Sequence, residues 1–208
     1  LPFALFPGST MREMLRSSDP STLSEPGGPG RAHVVHMDLD LTVDFVGQRL
    51  LGFVDLHCVR NASPKDGAWE LVLDCSTDLV VHWLSVHGAM LDAAAWCRDE
   101  TRKDAALGCP LRVNLPEGAE GQQVVRIAYE TAAPGPNGEG SSALHWLTPA
   151  QTSGKVLPYL FSQCHSVHAR AMVPCQDTCE CKITYNASIR APSCLNVLMS
   201  ALKSTDGE

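Results

Sequence analysis

The sequence HMDLDLTVDF, residues 36–45, decides the fold because its side chains alternate strictly between apolar and polar. The apolar set would share one face: Met37, Leu39, Leu41, Val43 and Phe45. The residues between them would share the other: His36, Asp38, Asp40, Thr42 and Asp44. A period of two is typical of a strand that is buried on one side only. Residues 46–49 are turn-like and residues 50–58 alternate again, which predicts a β-hairpin.

The same two-residue period recurs along the chain and favours an all-β domain. Further strands are predicted at residues 69–73, 79–86, 111–115, 123–129 and 182–190. Short turn-rich segments separate several of them. No segment has the sustained apolar period of an amphipathic helix, so little helix is expected.

Composition places the chain among globular proteins and excludes several functions. Of its 208 residues, 44% are hydrophobic and 19% are charged, which is enough to bury a core. Acidic residues outnumber basic ones by 23 to 16, and the basic ones are scattered, whereas nucleic-acid binding needs clustered positive charge. The most apolar window, residues 79–96, contains His82, His87 and Asp92, so no membrane span is expected.

Two regions are expected along the chain. Residues 1–32 are rich in glycine, proline and serine, which predicts a flexible leader before an ordered domain at residues 33–208. The chain does not open with methionine, and its first six residues make a poor signal peptide. We therefore expect a fragment, a processed product or an incomplete gene model.

Nine cysteines lie between residues 58 and 194. Secreted disulfide frameworks are usually smaller and have an even number of cysteines, so reduced thiols and a cytoplasmic location are predicted. The alternative is a secreted, disulfide-linked β-sandwich, which would show few free thiols when the native protein is titrated. The sequons at Asn61 and Asn186 would matter only in that secretory context.

The common catalytic and metal-binding motifs are missing from the sequence. No histidine is followed by glutamate, and there is no glycine-rich phosphate loop or Gly-x-Ser-x-Gly elbow. His33 and His36 have an odd separation, which places them on opposite faces of a strand. Cys175, Cys179 and Cys181 match no standard zinc spacing and are interpreted as small hydrophobic residues. We therefore expect no catalytic residue and no metal site in this chain.

Asp177, in the segment 175–181, has two interpretations. Its carboxylate could cap a turn, or it could form an ion pair with Arg170. Both interpretations stay open in the sequence.

The stretch from residue 142 to residue 178 is the most distinctive in the chain. It reads SALHWLTPAQTSGK at 142–155, PYLFSQCHSVHAR at 158–170 and PCQDT at 174–178. This stretch closely resembles the amino-terminal domain of M1-family zinc aminopeptidases of the leukotriene A4 hydrolase type, and the aminopeptidase B branch more loosely. The hairpin at 37–56, the strand at 70–74 and residues 197–201 agree with it. The resemblance therefore covers about residues 33–208.

The resemblance implies a saddle-like all-β domain, with an antiparallel or mixed sheet, that packs against a separate catalytic domain and helps to close its substrate cleft. Zinc and its ligands would lie in that catalytic domain, so no cofactor is expected in this chain. The implied parent reaction is zinc-assisted release of amino-terminal residues from peptides, with lipid epoxide hydrolysis as a candidate second reaction. The chain alone is expected to lack this activity and to bind no stoichiometric zinc. The family's domain is also expected to extend past Glu208.

Gln163, Cys164, His165 and Ser166 match a Gln-Cys-Gln/Glu-Ala segment that, in this family, lines the pocket for the substrate's amino terminus. The resemblance thus implies substrate-binding roles for Gln163, His165 and Ser166. In an extended strand, Gln163 and His165 would point the same way. An imidazole in place of a carboxylate predicts weaker binding of the substrate's ammonium group, and repulsion once the imidazole is protonated.

A second class of function stays open beside this one. The chain could be a truncated, stand-alone β-domain that serves protein–protein contact. The sequence downstream of Glu208 separates the two hypotheses. A His-Glu-x-x-His motif there supports the enzyme, and a stop codon supports the binding module.

Overall fold

The computed structural model describes residues 19–28, 30–61, 69–116, 122–135 and 140–204. Within these ranges the regular structure is almost entirely strand, which confirms the predicted all-β class. The strands are β1 (Arg31–Asp44), β2 (Arg49–Arg60), β3 (Trp69–Leu73), β4 (Val80–Val86), β5 (Ala89–Met90), β6 (Trp96–Arg98), β7 (Leu111–Leu115), β8 (Gln123–Glu130), β9 (Leu144–Leu147), β10 (Tyr159–Ser162) and β11 (Thr184–Arg190). Three short 3₁₀ turns occur at Glu100–Arg102, Pro149–Gln151 and Ala169–Ala171. No helix in the described ranges is long and apolar enough to span a membrane.

The strands form one large mixed sheet and one small one. The order in the large sheet is β5-β4-β8-β2-β1-β3-β7-β6, and β11 also pairs with β1. Strand β1 is therefore central: it is antiparallel to β2, parallel to β11 over residues 36–42, and parallel to β3 at residues 31–32. Strands β9 and β10 form the second, two-stranded antiparallel sheet.

The core lies on the face of the large sheet that the alternating pattern predicted. Leu39 and Leu41 of β1 are buried, as are Val54 and Leu56 of β2. Leu39 lies directly opposite Val54 in the strand register, so apolar residues meet apolar residues across the hairpin. Each side chain of this size that leaves water contributes about 1.5–3 kcal/mol, which fixes the register because a one-residue slip would expose all of them.

The predicted leader is partly ordered. Its residues 1–18 and 29 lie outside the described residues, but Thr22, Ser24 and Glu25 are buried against the domain. The backbone amides of Leu23 and Ser24 donate to Asp74 Oδ1 at 2.6 and 3.3 Å. Strand β1 begins at residue 31.

Candidate functional site

An open groove of about 790 Å³ contains every residue that the resemblance assigned to substrate binding. Gln163, His165 and Ser166 line it, and all three are exposed. Cys164 lies between them and is half-buried. Among the described residues, none hydrogen-bonds to the side chain of Gln163, His165 or Ser166. The groove therefore presents an amide, an imidazole and a hydroxyl that a ligand could engage.

Residues 165–168 form a turn, and the expectation that Gln163 and His165 share an extended strand is wrong. Strand β10 ends at Ser162, which pairs with Leu144, the first residue of β9. The Gln163 amide still donates to the carbonyl of Ala143 at 2.8 Å, but the partner strand ends there. The chain then turns, and the amide of His168 donates to the carbonyl of Cys164 at 3.1 Å. His165 lies in this turn, so it does not share a strand face with Gln163.

Aromatic contacts place the β9–β10 hairpin beside the large sheet. His145 of β9 stacks on Phe161 of β10, with ring centroids 4.7 Å apart. Trp146 meets Phe45, just after β1, edge to face at 5.4 Å. Such edge-to-face pairs favour one defined geometry, so the hairpin and the start of the 163–166 turn are held relative to β1.

Gln176 attaches the far side of the groove to the large sheet. Strand β1 has a register irregularity between Val34 and His36, and the amide of Val34 donates to Gln176 Oε1 at 2.9 Å. The Gln176 amide group donates to the carbonyls of Ala32 and Val72 at 3.1 and 3.3 Å. This buried side chain thus satisfies backbone groups of two strands at once.

A buried ion-pair network lies behind the groove. Arg170 is 2% exposed, and its Nε donates to Asp177 Oδ2 at 3.0 Å. Its Nη1 lies 3.3 Å from Asp74 Oδ1. The amide of Asp177 donates to Asp74 Oδ2 at 3.0 Å, which closes the network. The ion-pair interpretation of Asp177 is confirmed.

Asp74 and Gln176 both position the groove, and neither was predicted from the sequence. Asp74 is fully buried and follows the apolar run of β3 directly. A carboxylate at the end of a buried strand is a signal that could have been used, since such a group needs hydrogen-bond donors around it. Gln176 carries no comparable signal, because the backbone groups that it binds lie more than a hundred residues away in the sequence.

Two thiols of the groove, those of Cys164 and Cys181, are held in their protonated form. Burial, followed by the charge of Asp177, raises the pKa of Cys164. Burial, followed by the charges of Glu180 and Asp74, raises the pKa of Cys181 to about 11. Because the thiolate is the nucleophile and the metal ligand, neither thiol is activated at neutral pH.

The cysteines form neither disulfides nor a metal cluster. All nine lie in the described ranges, and all are free. Among the described residues, Cys175, Cys179 and Cys181 are not brought together as a group of metal ligands. Cys175 is buried, Cys181 is half-buried and Cys179 is exposed. The group of ligand atoms that does converge within the described ranges lies on strands β1 and β2, away from the groove.

Asp19 is an acidic residue of the groove whose carboxylate is favoured by hydrogen bonds. Hydrogen bonds from Ser21 and Thr178 hold the pKa of Asp19 below its ordinary value. The hydroxyl of Thr178 donates to Asp19 Oδ2 at 2.6 Å. Asp19 and Asp177 line the groove together with one lysine, Lys182, so carboxylates outnumber ammonium groups among the described lining residues.

Comparison with known proteins identifies the family. The model of the peptidase M1 N-terminal domain matches residues 34–206. The chain belongs to the peptidase M1 N-terminal domain family. This confirms the resemblance, and the fold is that of the amino-terminal domain of leukotriene A4 hydrolase.

Relatives and solved structures agree with this family. Leukotriene A-4 hydrolase of Xenopus laevis is 36% identical over 192 residues, which are 92% of this chain and 28% of the relative. Leucine aminopeptidase 2 of Neurospora crassa is 34% identical over 185 residues, which are 89% of this chain and 26% of the relative. The structure of native yeast LTA4 hydrolase superposes with a TM-score of 0.72 at 30% identity, covering 95% of this chain and 29% of that one. The chain therefore spans less than a third of the length of these relatives.

Proposed function

We propose that this chain forms the substrate-cleft domain of a zinc metallo-aminopeptidase resembling leukotriene A4 hydrolase. The observation that carries the proposal is the position of Gln163, His165 and Ser166, whose side chains line one open groove and make no hydrogen bond to other described residues. The partner is a catalytic domain of the same parent protein, and the ligand is the amino terminus of a peptide.

The groove residues suit an ammonium ligand. The amide oxygen of Gln163, a neutral imidazole nitrogen of His165 and the hydroxyl of Ser166 are all hydrogen-bond acceptors. An ionised Asp19 adds negative charge to the lining. Their role is to bind and orient the substrate's amino terminus, while the chemistry takes place elsewhere.

Zinc belongs to the catalytic domain in this proposal, where it would polarise the scissile carbonyl and activate a water molecule. The described residues of the groove bring no three ligand atoms together, so they do not supply such a centre. We therefore propose that the 208-residue chain has no aminopeptidase activity of its own.

Three finer points complete the proposal. The parent reaction is the release of amino-terminal residues from peptides, with a lipid epoxide as a candidate second substrate. The location is cytoplasmic, which the nine free cysteines support. His165 makes amino-terminal recognition weaker than a carboxylate at the same position would.

The test replaces His165 with glutamine in the parent enzyme, with this domain joined to its zinc domain. An imidazole that gains a proton repels the substrate's ammonium group, whereas an amide does not titrate. We expect His165→Gln to raise kcat/KM at the acidic end of the range from about pH 5.5 to 8 and to flatten its pH profile.

The matched control is His82→Gln, because His82 lies on β4, is exposed and does not line the groove. This variant should keep the parent profile. If His165→Gln gave the same magnitude and pH profile as the parent, His165 would have no part in recognition.

A further inference from the structure

Strand pairing brings three potential metal ligands together on the polar face of the large sheet. His36 and Asp38 lie on β1, two residues apart and on one side of the strand, and His57 lies opposite His36 on β2. Asp38 Oδ1 is 3.2 Å from His36 Nε2, and Asp38 Oδ2 is 2.7 Å from His57 Nε2. One ligand atom from each residue lies within 4.8 Å of those from the other two.

A neighbouring hydroxyl orients the His36 ring. Thr184 Oγ1 of β11 lies 2.7 Å from His36 Nδ1. When Nδ1–H donates to this oxygen, Nε2 keeps a lone pair that faces the carboxylate of Asp38. Two electron-rich atoms at 3.2 Å repel each other unless a proton or a cation lies near both. In this structure the amide group of Asn186, 3.2 Å from His36 Nε2 and 2.8 Å from Asp38 Oδ1, supplies protons to both, and a metal ion would take over that role. Metal-bound histidines are commonly oriented in this way, through a hydrogen bond from the other ring nitrogen.

Asp38 lies between the two rings and is also held by a side chain of β11. The amide group of Asn186 donates to Asp38 Oδ1 at 2.8 Å. This contact fixes the position of the carboxylate relative to both imidazole rings.

We propose that His36, Asp38 and His57 bind one divalent transition-metal ion of the zinc class. Two imidazole nitrogens and one carboxylate oxygen form a set that zinc accepts, with bonds of about 2.0–2.1 Å and the fourth position left to water. The rings are partly exposed, with 25% of each side chain accessible, so an ion can enter from solvent. Metal binding needs the tautomer of His57 with its proton on Nδ1, so the proton that Nε2 otherwise donates to Asp38 moves to Nδ1 by exchange with solvent.

The site joins strands through side chains and does not depend on the proposed peptidase function. The bound ion would connect β1 to β2 directly. Hydrogen bonds between these ligands and Thr184 and Asn186 connect the site to β11. The sequence expectation of no metal rested on spacing along the chain, whereas these ligands meet across two strands. The alternative is that hydrogen bonds alone hold His36, Asp38 and His57 together without a metal ion. The experiment below distinguishes this alternative from metal binding.

The test titrates the metal-free, reduced 208-residue chain with Zn²⁺ by calorimetry and with Co²⁺ by visible absorption. We expect one ion per chain, and cobalt bands typical of nitrogen and oxygen ligands without the intense thiolate-to-metal band. His57→Gln should weaken Zn²⁺ binding at least about tenfold, since even orienting residues outside the ligand set contribute about tenfold to a hundredfold. Circular dichroism checks that each variant keeps the strand content of the parent.

His33→Gln is the matched control, because His33 lies on the same strand but contacts Asn61 through Nδ1 at 2.8 Å. It should bind Zn²⁺ like the parent chain. Thr184→Val removes only the orienting hydroxyl, on an exposed residue, and should weaken Zn²⁺ binding about tenfold. This variant keeps the test decisive if His57→Gln changes the fold.

Three results would overturn the proposal. The first is no saturable Zn²⁺ binding, which would leave a proton-linked cluster only. The second is equal affinity in the parent, His57→Gln and Thr184→Val chains. The third is a thiolate-to-cobalt band that disappears on alkylation of the cysteines, which would place the ion on sulfur.

Discussion

At the scale of single residues, Arg170 is a buried side chain that forms ion pairs and hydrogen bonds with several separate segments of the chain. Its guanidinium forms ion pairs with Asp177 and Asp74. It also donates to the backbone carbonyls of Leu107 and Ser21 at 3.1 and 2.7 Å. It therefore joins the residues before β1, the loop before β7 and the segment lining the groove. Removing one partner from a buried ion pair leaves an uncompensated charge, which costs far more than the pair gains.

We predict that Arg170→Met lowers the free energy of unfolding by about 3–5 kcal/mol. Urea denaturation followed by circular dichroism measures the change. Arg190→Met is the control: Arg190 also pairs with an aspartate, Asp40, but 64% of its side chain is exposed, so no measurable change is expected. Equal losses in the two variants would show that burial of the Arg170 network does not determine stability.

The sequence could predict part of this network. Arg170 and Asp177 are seven residues apart, so an ion pair between them was one of two open interpretations of Asp177. Asp74 was not foreseen, because its contact with Asp177 crosses 103 residues and depends on the loops around β3. Local spacing shows which charges can meet along the chain, but not which charges the fold brings together.

At the scale of elements, Gly52 allows β2 to pass close to β1. Its φ is +152°, and a Cβ added there would lie 2.0 Å from the carbonyl oxygen of Asp40. No rearrangement of a flexible side chain can relieve this contact, because the obstacle is backbone. The central hairpin, which supports both the core and the polar face, therefore requires glycine at this position.

We predict that Gly52→Ala lowers the free energy of unfolding by at least about 1–3 kcal/mol, the usual cost of a strained backbone. Gly154→Ala is the matched control, since a Cβ at Gly154 would meet nothing within 4 Å. This control should change stability by no more than about 0.5 kcal/mol. Thermal unfolding of both variants beside the parent gives the comparison, and an unaffected Gly52→Ala would show that the close approach does not constrain the hairpin.

Strand length explains which elements the sequence could predict. Strands β1, β2, β3, β4, β7, β8 and β11 have five to fourteen residues, enough for a two-residue period to show. Strands β5, β6, β9 and β10 have only two to four and were not predicted. Strand length also explains why His165 was wrongly predicted to lie in a strand. Strand β10 has only four residues, and it ends opposite Leu144, where its partner strand β9 begins. The meeting of His36 with His57 depends on strand register, which spacing within one strand does not reveal.

At the scale of the whole molecule, apolar residues are exposed in the last described segment, residues 191–204. Leu198 and Leu202 are 92% and 100% exposed, and Met199 is 40% exposed. A domain that packs against a catalytic partner would cover such residues in the parent protein. Contiguous exposed apolar surface in an isolated chain favours association.

We predict that the purified 208-residue chain self-associates at concentrations where the double variant Leu198→Ser, Leu202→Ser stays monomeric. Light scattering after gel filtration measures the mass of both. Val46→Ser is the control, because Val46 is 99% exposed but lies in the turn between β1 and β2. A monodisperse parent monomer with sharp cooperative unfolding would contradict the idea that a partner surface is missing.

The central claim is that this domain works as part of a zinc metallo-aminopeptidase, and the sequence of its messenger RNA beyond the codon for Glu208 tests it most directly. Our account predicts an open reading frame that continues into a catalytic domain with a His-Glu-x-x-His motif, in which two histidines on one helix face hold zinc and the glutamate acts as general base. A stop codon immediately after Glu208 in the mature transcript would contradict it, and would favour a stand-alone β-domain that acts by protein contact.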